Sequence, residues 1–229
     1  MTPREAFYQR VRQAVVEGNR AGHVAEAPRR GDIGYQGAGL DPVERFAREL
    51  QTAGGHTHVV RQAEEAWQAV KSVLERRSAR KLLLGRCPLF DRLGLGPRLR
   101  QGYDVHLVDP TQPAGARDAF FQADAGISGV EYLIAETGSV VMATKPEEPR
   151  SLSLLPPVHI ALAERRQILP DLFDLFDLFA PDAIPGRPPS PPPSCLTLIT
   201  GPSKTGDIEL RLVTGVHGPG ELHVVIVDS

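Results

Sequence analysis

Residues 56–85 read "HTHVVRQAEEAWQAVKSVLERRSARKLLLG" and decide the class of fold. Residues 56–60 are typical of a short strand and residues 81–85 of a buried strand, and residues 63–77 repeat apolar side chains at helical spacing. The helix residues expected to face inward are Ala66, Trp67, Val70, Val73 and Leu74. Because a helix between two neighbouring strands brings them parallel, the pattern predicts an α/β protein with a parallel sheet.

A second helix is marked by its terminal residues. Asp41 is a preferred N-cap, Pro42 suits the first helical position, and Glu44 stands three residues after the cap. The apolar runs after this helix predict further strands, at residues 105–109, 154–163, 195–200 and 221–227.

Residues 123–144 predict two strands around a tight turn at Thr137 and Gly138. Residues 130–135 also fit a helix, so both assignments stay open here. Residues 86–103 read as a loop punctuated by Gly and Pro.

The region after residue 165 predicts a helix and a connector. Pro170 is expected at the start of a helix rich in Leu and Phe, and residues 185–194 form a Pro-rich extended connector. We therefore expect a single α/β domain at 41–229 with this connector inside it, preceded by an N-terminal helical extension and loop at 1–40.

Composition excludes several classes of partner. The net charge is -2, with charges of both signs interspersed, so nucleic acids and anionic membranes are not expected partners. The N-terminus lacks the apolar core of a signal peptide, and no segment has the roughly 20 apolar residues of a membrane span. A cytoplasmic location is expected.

The two cysteines, Cys87 and Cys195, are far apart in sequence. Their spacing argues against a disulfide framework, a zinc site or a self-contained iron–sulfur cluster. We expect no metal and no cofactor bound by this chain alone, so that any redox chemistry requires a partner.

Residues 201–209, "GPSKTGDIE", are the strongest candidate for a ligand site. The order of lysine and glycine fails the phosphate-loop pattern, and a dinucleotide-binding glycine pattern is absent from the chain. The segment instead predicts a turn into a helix that begins near Thr205, with Ser203 or Thr205 as N-cap, and such a helix end attracts anions. Lys204 would add a positive charge, whereas Asp207 and Glu209 would repel an anion or bind ligand hydroxyls.

Residues 215–220, "GVHGPG", place His217 between glycines just before a strand. Glycine permits a positive φ and the close approach of a ligand. The alternative is that this segment and residues 201–209 are only structural turns. His56 and His58 share a strand face that we expect to be solvated, and His106 and His159 read as core or edge residues.

Four motifs together resemble the LUD-domain family of bacterial lactate-utilisation proteins. They are "AETGSVV" (135–141), "SLLPPVHI" (153–160), "GPSKTGDIE" (201–209) and "GVHGPGELHVVIV" (215–227). The resemblance implies a Rossmann-like three-layer α/β sheet of the ribose-phosphate-isomerase and CoA-transferase-like type. It also implies a cluster-free component of a system that oxidises L-lactate to pyruvate with partner proteins that carry iron–sulfur clusters.

The resulting hypothesis is a site for a small anionic ligand at strand ends of the sheet. Its candidate residues are Thr137, Gly138, Ser139, Gly201, Ser203, Lys204, Thr205, Asp207, Glu209 and His217. The resemblance carries over no catalytic residue. Two alternatives remain: a stand-alone CoA-transferase-like or sugar-phosphate-isomerase-like enzyme with Glu136, Asp207 or Glu209 as base or nucleophile, and a non-catalytic assembly or regulatory subunit.

Overall fold

The structure is a computed structural model that describes residues 2–18, 37–109, 111, 113–178, 193–206 and 213–228. The chain divides into two compact units, Met1–Tyr35 and Gln36–Ser229. The described element of the first unit is helix α1 (Pro3–Gly18), which buries none of its described side chains. All other elements belong to the second unit. The predicted connector at 185–194 lies outside the described residues except for its last two.

The second unit alternates helices and strands. Its helices are α2 (Pro42–Thr52), α3 (Ala63–Arg76), α4 (Pro88–Arg92), α5 (Leu95–Gly102), α6 (Pro113–Gln122), α7 (Arg150–Leu154) and α8 (Leu172–Asp177). Its strands are β1 (His56–Val60), β2 (Lys81–Leu84), β3 (Asp104–Leu107), β4 (Ala125–Ser128), β5 (Tyr132–Ile134), β6 (Ser139–Ala143), β7 (Val158–Glu164), β8 (Ile168–Leu169), β9 (Leu196–Ile199), β10 (Lys204–Thr205), β11 (Val213–Thr214) and β12 (Glu221–Val227). A short 3-10 helix covers Arg165–Gln167.

The central sheet has six strands in the order β1-β12-β7-β4-β2-β3, and every pairing is parallel. This confirms the predicted α/β class. Strand β12 lies between β1 and β7, and its residues 222–227 are all buried, as its unbroken apolar run predicts.

A second, four-stranded sheet has the order β8-β5-β6-β9. Strands β5 and β6 pair antiparallel on either side of Thr137 and Gly138, which confirms the strand alternative for residues 130–135 over the helix. Strand β9 pairs antiparallel with β6, so the apolar run at 195–200 joins this sheet and not the central one. Strands β10 and β11, each two residues long, pair antiparallel with each other.

One face of the central sheet packs against helices α3, α4 and α5. Side chains alternate between the two faces of a strand, and Leu82 and Leu84 of β2 point to this side. They join Val70, Leu74 and Leu99 in the largest buried cluster. Full burial of one such side chain contributes about 1.5 to 3 kcal/mol, so this face stabilises the sheet strongly.

The opposite face packs against α2, the second sheet, α6 and α7. Asp41 caps α2 by accepting a hydrogen bond from the backbone N–H of Val43 at 2.9 Å, as predicted. Phe46 and Leu50 then bury the apolar stripe of α2 against β7 and β12. The resulting three layers match the predicted architecture, but one outer layer contains a sheet as well as helices.

Two local predictions need correction. Residues 86–103 are not a loop, because they contain α4 and α5, whose leucines pack into the core. The helix predicted to start at Pro170 is present as α8, but it begins at Leu172, because its cap is Asp171, whose side chain accepts from the N–H of Asp174. The first error comes from treating Pro and Gly as breaks where tertiary packing supports short helices.

Candidate functional site

A cavity of about 280 Å³ lies between the two sheets, where β7 and β12 begin. Its walls come from α7, strand β9, the turn after β9 and the loop before β12. The polar residues that line it are Arg150, Ser153, His159, Thr197, Thr200, Ser203 and His217. Its volume is just below the range of about 300 to 1,000 Å³ of pockets for drug-sized ligands, which suits a small molecule.

The charge of the cavity favours an anion. Arg150 is the charged residue among its described lining residues, and no carboxylate is among them. Leu154, Leu198 and Leu222 supply apolar surface beside the hydroxyl and imidazole groups. A guanidinium binds carboxylate and phosphate groups well because its N–H donors match their oxygen geometry.

His159, the second residue of β7, is fully buried and lines this cavity. One ring nitrogen, Nε2, lies 2.8 Å from the hydroxyl of Ser128, which is also fully buried. Within the described part of the chain, the other nitrogen, Nδ1, has no hydrogen-bond partner. An unpaired buried polar group costs about 1 to 3 kcal/mol, so the lack of a partner for Nδ1 calls for an explanation.

Burial lowers the pKa of His159 to about 4. The imidazole is therefore neutral near pH 7, with one nitrogen as donor and the other as acceptor. The hydrogen bond to Ser128 can form in either direction, so both tautomers are accessible.

Ser203 and His217 are brought together at the cavity. The N–H of Ser203 donates to the carbonyl of Pro219 at 2.8 Å, and the N–H of Gly215 donates to the carbonyl of Ser203 at 3.0 Å. These bonds fasten the turn after β9 to the loop before β12. Gly201, which is buried, also lines the cavity.

The predicted helix start near Thr205 is wrong for the described residues up to Gly206, and residues 207–212 lie outside the described part of the chain. Lys204 and Thr205 form strand β10, which pairs with Thr214 and Val213 of β11. Neither Ser203 nor Thr205 therefore caps a helix at this point. Lys204 does not line the cavity, because its ammonium group donates to the carbonyl of Ala53.

Thr137, Gly138 and Ser139 do not line the cavity but connect to it. The hydroxyl of Ser139 lies 2.7 Å from that of Thr137 and 2.6 Å from that of Thr200, which does line the cavity. Gly138 has a φ of 64°, and a Cβ there would lie 2.3 Å from the backbone nitrogen of Leu50. Glycine is thus needed for the turn to pack against α2.

Of the three predicted carboxylates, only Glu136 lies within the described residues. Asp207 and Glu209 fall outside the described residues. Glu136 does not line the cavity, and its backbone N–H donates to the carbonyl of Pro170.

His56 and His58 do not form a simple solvated face. The ring of His223 on the neighbouring strand stacks on both, with centroids 4.7 Å from His56 and 5.5 Å from His58. Burial and nearby positive charges lower the pKa of His223 to about 3. In the part of the chain that the structure describes, no set of three or more His, Cys, Asp or Glu is arranged to hold a metal.

Glu148 was not anticipated from the sequence. It lies at the carboxyl ends of β2 and β4, and its Oε1 accepts from the N–H of Gly129 at 2.7 Å. Burial raises the pKa of this carboxyl. Because Glu148 stands among charged and proline residues in "KPEEPR", nothing in the local pattern distinguishes it from a surface residue.

Arg150, Ser153 and Thr200 were also missed as cavity residues, and His159 was read only as a core residue. Ser153 and His159 both belong to the "SLLPPVHI" motif, which was the available signal. None of the helices within the described ranges combines the length and apolarity needed to cross a membrane.

The fold and the cavity define an α/β protein with a parallel central sheet and a pocket suited to a small anion. Residues 43–227 match the model of the LUD domain, and the chain belongs to this family.

Relatives and a solved structure agree with this assignment. A lactate utilization protein C from Halalkalibacterium halodurans is 36% identical over 162 residues, covering 71% of this chain and 69% of the relative. A lactate utilization protein C from a Geobacillus species is 32% identical over 85% of this chain and 82% of its own length. The crystal structure of a DUF162 family protein from Deinococcus radiodurans matches with a TM-score of 0.56 and 25% identity, over 81% of this chain and 96% of that one.

Proposed function

We propose that this chain is the cluster-free component of an L-lactate utilisation system that oxidises L-lactate to pyruvate. Its similarity to two proteins named lactate utilization protein C, each over more than two thirds of both chains, supports the metabolic role. L-lactate and pyruvate are both small carboxylates, which is the chemistry that the cavity suits.

The residues that line the cavity are the observation that supports a binding site for a small carboxylate. Arg150 lines the cavity together with residues that carry hydroxyl and imidazole groups, and no carboxylate is among its described lining residues. A small carboxylate would gain charge-assisted hydrogen bonds there, and these are about twice as strong as neutral ones.

The proposal places the electron carriers on partner proteins. Removal of two electrons from lactate requires an acceptor, and iron–sulfur clusters are usually held by four cysteines. This chain has two cysteines, Cys87 and Cys195, which are both free thiols. We therefore assign the clusters to iron–sulfur partner proteins of the same system, with this chain acting beside them.

Growth of a deletion strain tests the proposal. A strain that lacks this gene should fail to grow on L-lactate as sole carbon source, grow normally on glucose, and recover on lactate when the gene is restored. Normal growth of the deletion strain on L-lactate would contradict the role. Co-purification of the tagged chain with proteins that contain iron–sulfur clusters, read from their visible absorption, tests the partner assignment separately.

A further inference from the structure

We infer that the cavity binds three-carbon acids that carry an oxygen at C2, as alcohol or ketone, with Arg150 holding the carboxylate and Nδ1 of His159 contacting the C2 oxygen. The choice of three-carbon acids rests on the proposed function. The recognition of the C2 oxygen rests on the cavity itself.

His159 supplies the main argument. Its side chain is fully buried, it lines the cavity, and Nδ1 lacks a partner among the described residues. Buried polar atoms in folded proteins are almost always hydrogen-bonded, so we take the unpaired nitrogen of a ring that lines a cavity as the position for a ligand contact. A hydroxyl or carbonyl oxygen on the ligand would supply the hydrogen bond that Nδ1 lacks.

The contact between His159 and Ser128 explains how one nitrogen can accept either oxidation state of C2. If Nε2 donates to the Ser128 hydroxyl, Nδ1 is an acceptor and can bind the O–H of a 2-hydroxy acid. If the Ser128 hydroxyl donates to Nε2, Nδ1 carries the hydrogen and can bind the carbonyl oxygen of a 2-oxo acid. The pair is separated by 2.8 Å, which permits both arrangements.

The other walls fit the rest of such a ligand. Arg150 provides the charge for the carboxylate, and the Ser153 side chain next to it is buried. Leu154 and Leu222 supply apolar surface for a methyl group. The volume of about 280 Å³ leaves room for a three-carbon acid and accompanying water.

Titration calorimetry on the purified full chain tests this inference without any mutation. L-lactate and pyruvate should bind with dissociation constants within about tenfold of each other. Propionate has the same carboxylate but no C2 oxygen, and should bind at least about tenfold more weakly, because Nδ1 then stays unpaired. Lactamide keeps the C2 hydroxyl but lacks the charge, and should also bind at least about tenfold more weakly.

Variants separate the two contacts. Arg150→Gln should weaken the binding of L-lactate and of propionate by a similar factor of at least about ten. Arg100 is an exposed arginine of α5 on the other face of the sheet, and Arg100→Gln should leave both affinities unchanged. In His159→Phe, the ratio of the affinity for L-lactate to the affinity for propionate should fall to about one. Ser128→Ala provides a second test if His159→Phe fails to fold, and should alter the ratio of pyruvate to lactate affinity.

The failure of this inference can be told from failure of the proposed function. No binding of L-lactate or pyruvate to the purified chain, or equal affinity for propionate and L-lactate, would overturn the inference even if the deletion strain fails on lactate. Normal growth of that strain would overturn the metabolic role even if the acids bind.

Discussion

His159 and Glu148 are buried titratable side chains at opposite ends of the central sheet, and their situations are opposite. At the amino ends, His159 lines a cavity and keeps one ring nitrogen unpartnered among the described residues. At the carboxyl ends, Glu148 accepts from the N–H of Gly129, and a Cβ on Gly85 would lie 2.9 Å from its Oε1. The first end is open to a ligand, and the second is closely packed.

This arrangement differs from the general rule for open α/β sheets, in which ligands bind beyond the carboxyl ends of the strands. Here the second sheet covers one face of the central sheet and, with α7, encloses space above the start of β7 and β12. The location of this cavity therefore follows from how the layers pack, and strand polarity alone does not decide it.

Gly126 provides the severest test, because it allows α7 to pack on β4. A Cβ at Gly126 would lie 2.2 Å from the carbonyl oxygen of Leu152, a backbone atom that cannot move without shifting the helix. Gly126→Ala should lower the free energy of unfolding by at least about 3 kcal/mol in chemical denaturation. Gly102→Ala, where no atom lies within 4 Å of the added Cβ, is the control and should change little.

If Gly126→Ala were as stable as Gly102→Ala, the position of α7, and with it the wall that carries Arg150 and Ser153, would be in error.

His159 should make the protein less stable in acid. Its pKa is lowered to about 4, whereas the unfolded chain binds the same proton near 6.5. The stability that depends on neutral His159 is therefore present above pH 6.5 and is lost as the pH falls toward 4, by about 2 to 3 kcal/mol. Urea unfolding at pH 7 and pH 4 should show a smaller difference in His159→Gln than in wild type.

The matched control is His217→Gln, at an exposed loop position. This variant should keep the wild-type difference in free energy of unfolding between pH 7 and pH 4. Equal pH dependence in wild type and His159→Gln would mean that His159 is not the buried neutral group described here.

Glu148 should affect the pH dependence of stability in the opposite direction from His159. Burial raises its pKa, so the folded protein holds this proton more tightly than the unfolded chain does. Its contribution to stability is present below the unfolded pKa and is lost as the pH rises through the folded one. Glu148→Gln keeps an oxygen for the Gly129 N–H and removes the buried charge, and should raise the free energy of unfolding at pH 8 by about 1 kcal/mol.

At pH 4, where the wild-type carboxyl is protonated, Glu148→Gln should raise the free energy of unfolding only slightly. A loss of stability at both pH values would show instead that the carboxylate is required at this end of the sheet.

Lys204 should have the smallest effect. Its ammonium donates to the carbonyl of Ala53 at an exposed position, and it does not line the cavity. Lys204→Met should change the free energy of unfolding by less than about 0.5 kcal/mol and leave the dissociation constant of L-lactate unchanged. A tenfold weaker affinity for L-lactate would restore Lys204 to the anion site.

The sequence by itself determined the class of fold and several of its elements. The alternation of residues 56–85, the cap at Asp41 and the apolar run of β12 depend on local spacing and on burial of strands from both sides, and all were confirmed. The segments that contain Ser203 and His217 also indicated part of the cavity wall, whereas His159 was expected in the core or at an edge.

Only the tertiary structure decided which residues meet. Arg150 and His159 belong to consecutive elements, α7 and β7, whereas Thr200 follows β9 much later in the sequence. The three residues line one cavity because β9 packs beside β6 in the second sheet. Lys204 has the charge expected of an anion site, yet the pairing of β10 with β11 leaves its ammonium on the Ala53 carbonyl. Residue type and spacing describe what a side chain can do, but its distance from other side chains depends on long-range pairing of strands, which local patterns do not encode.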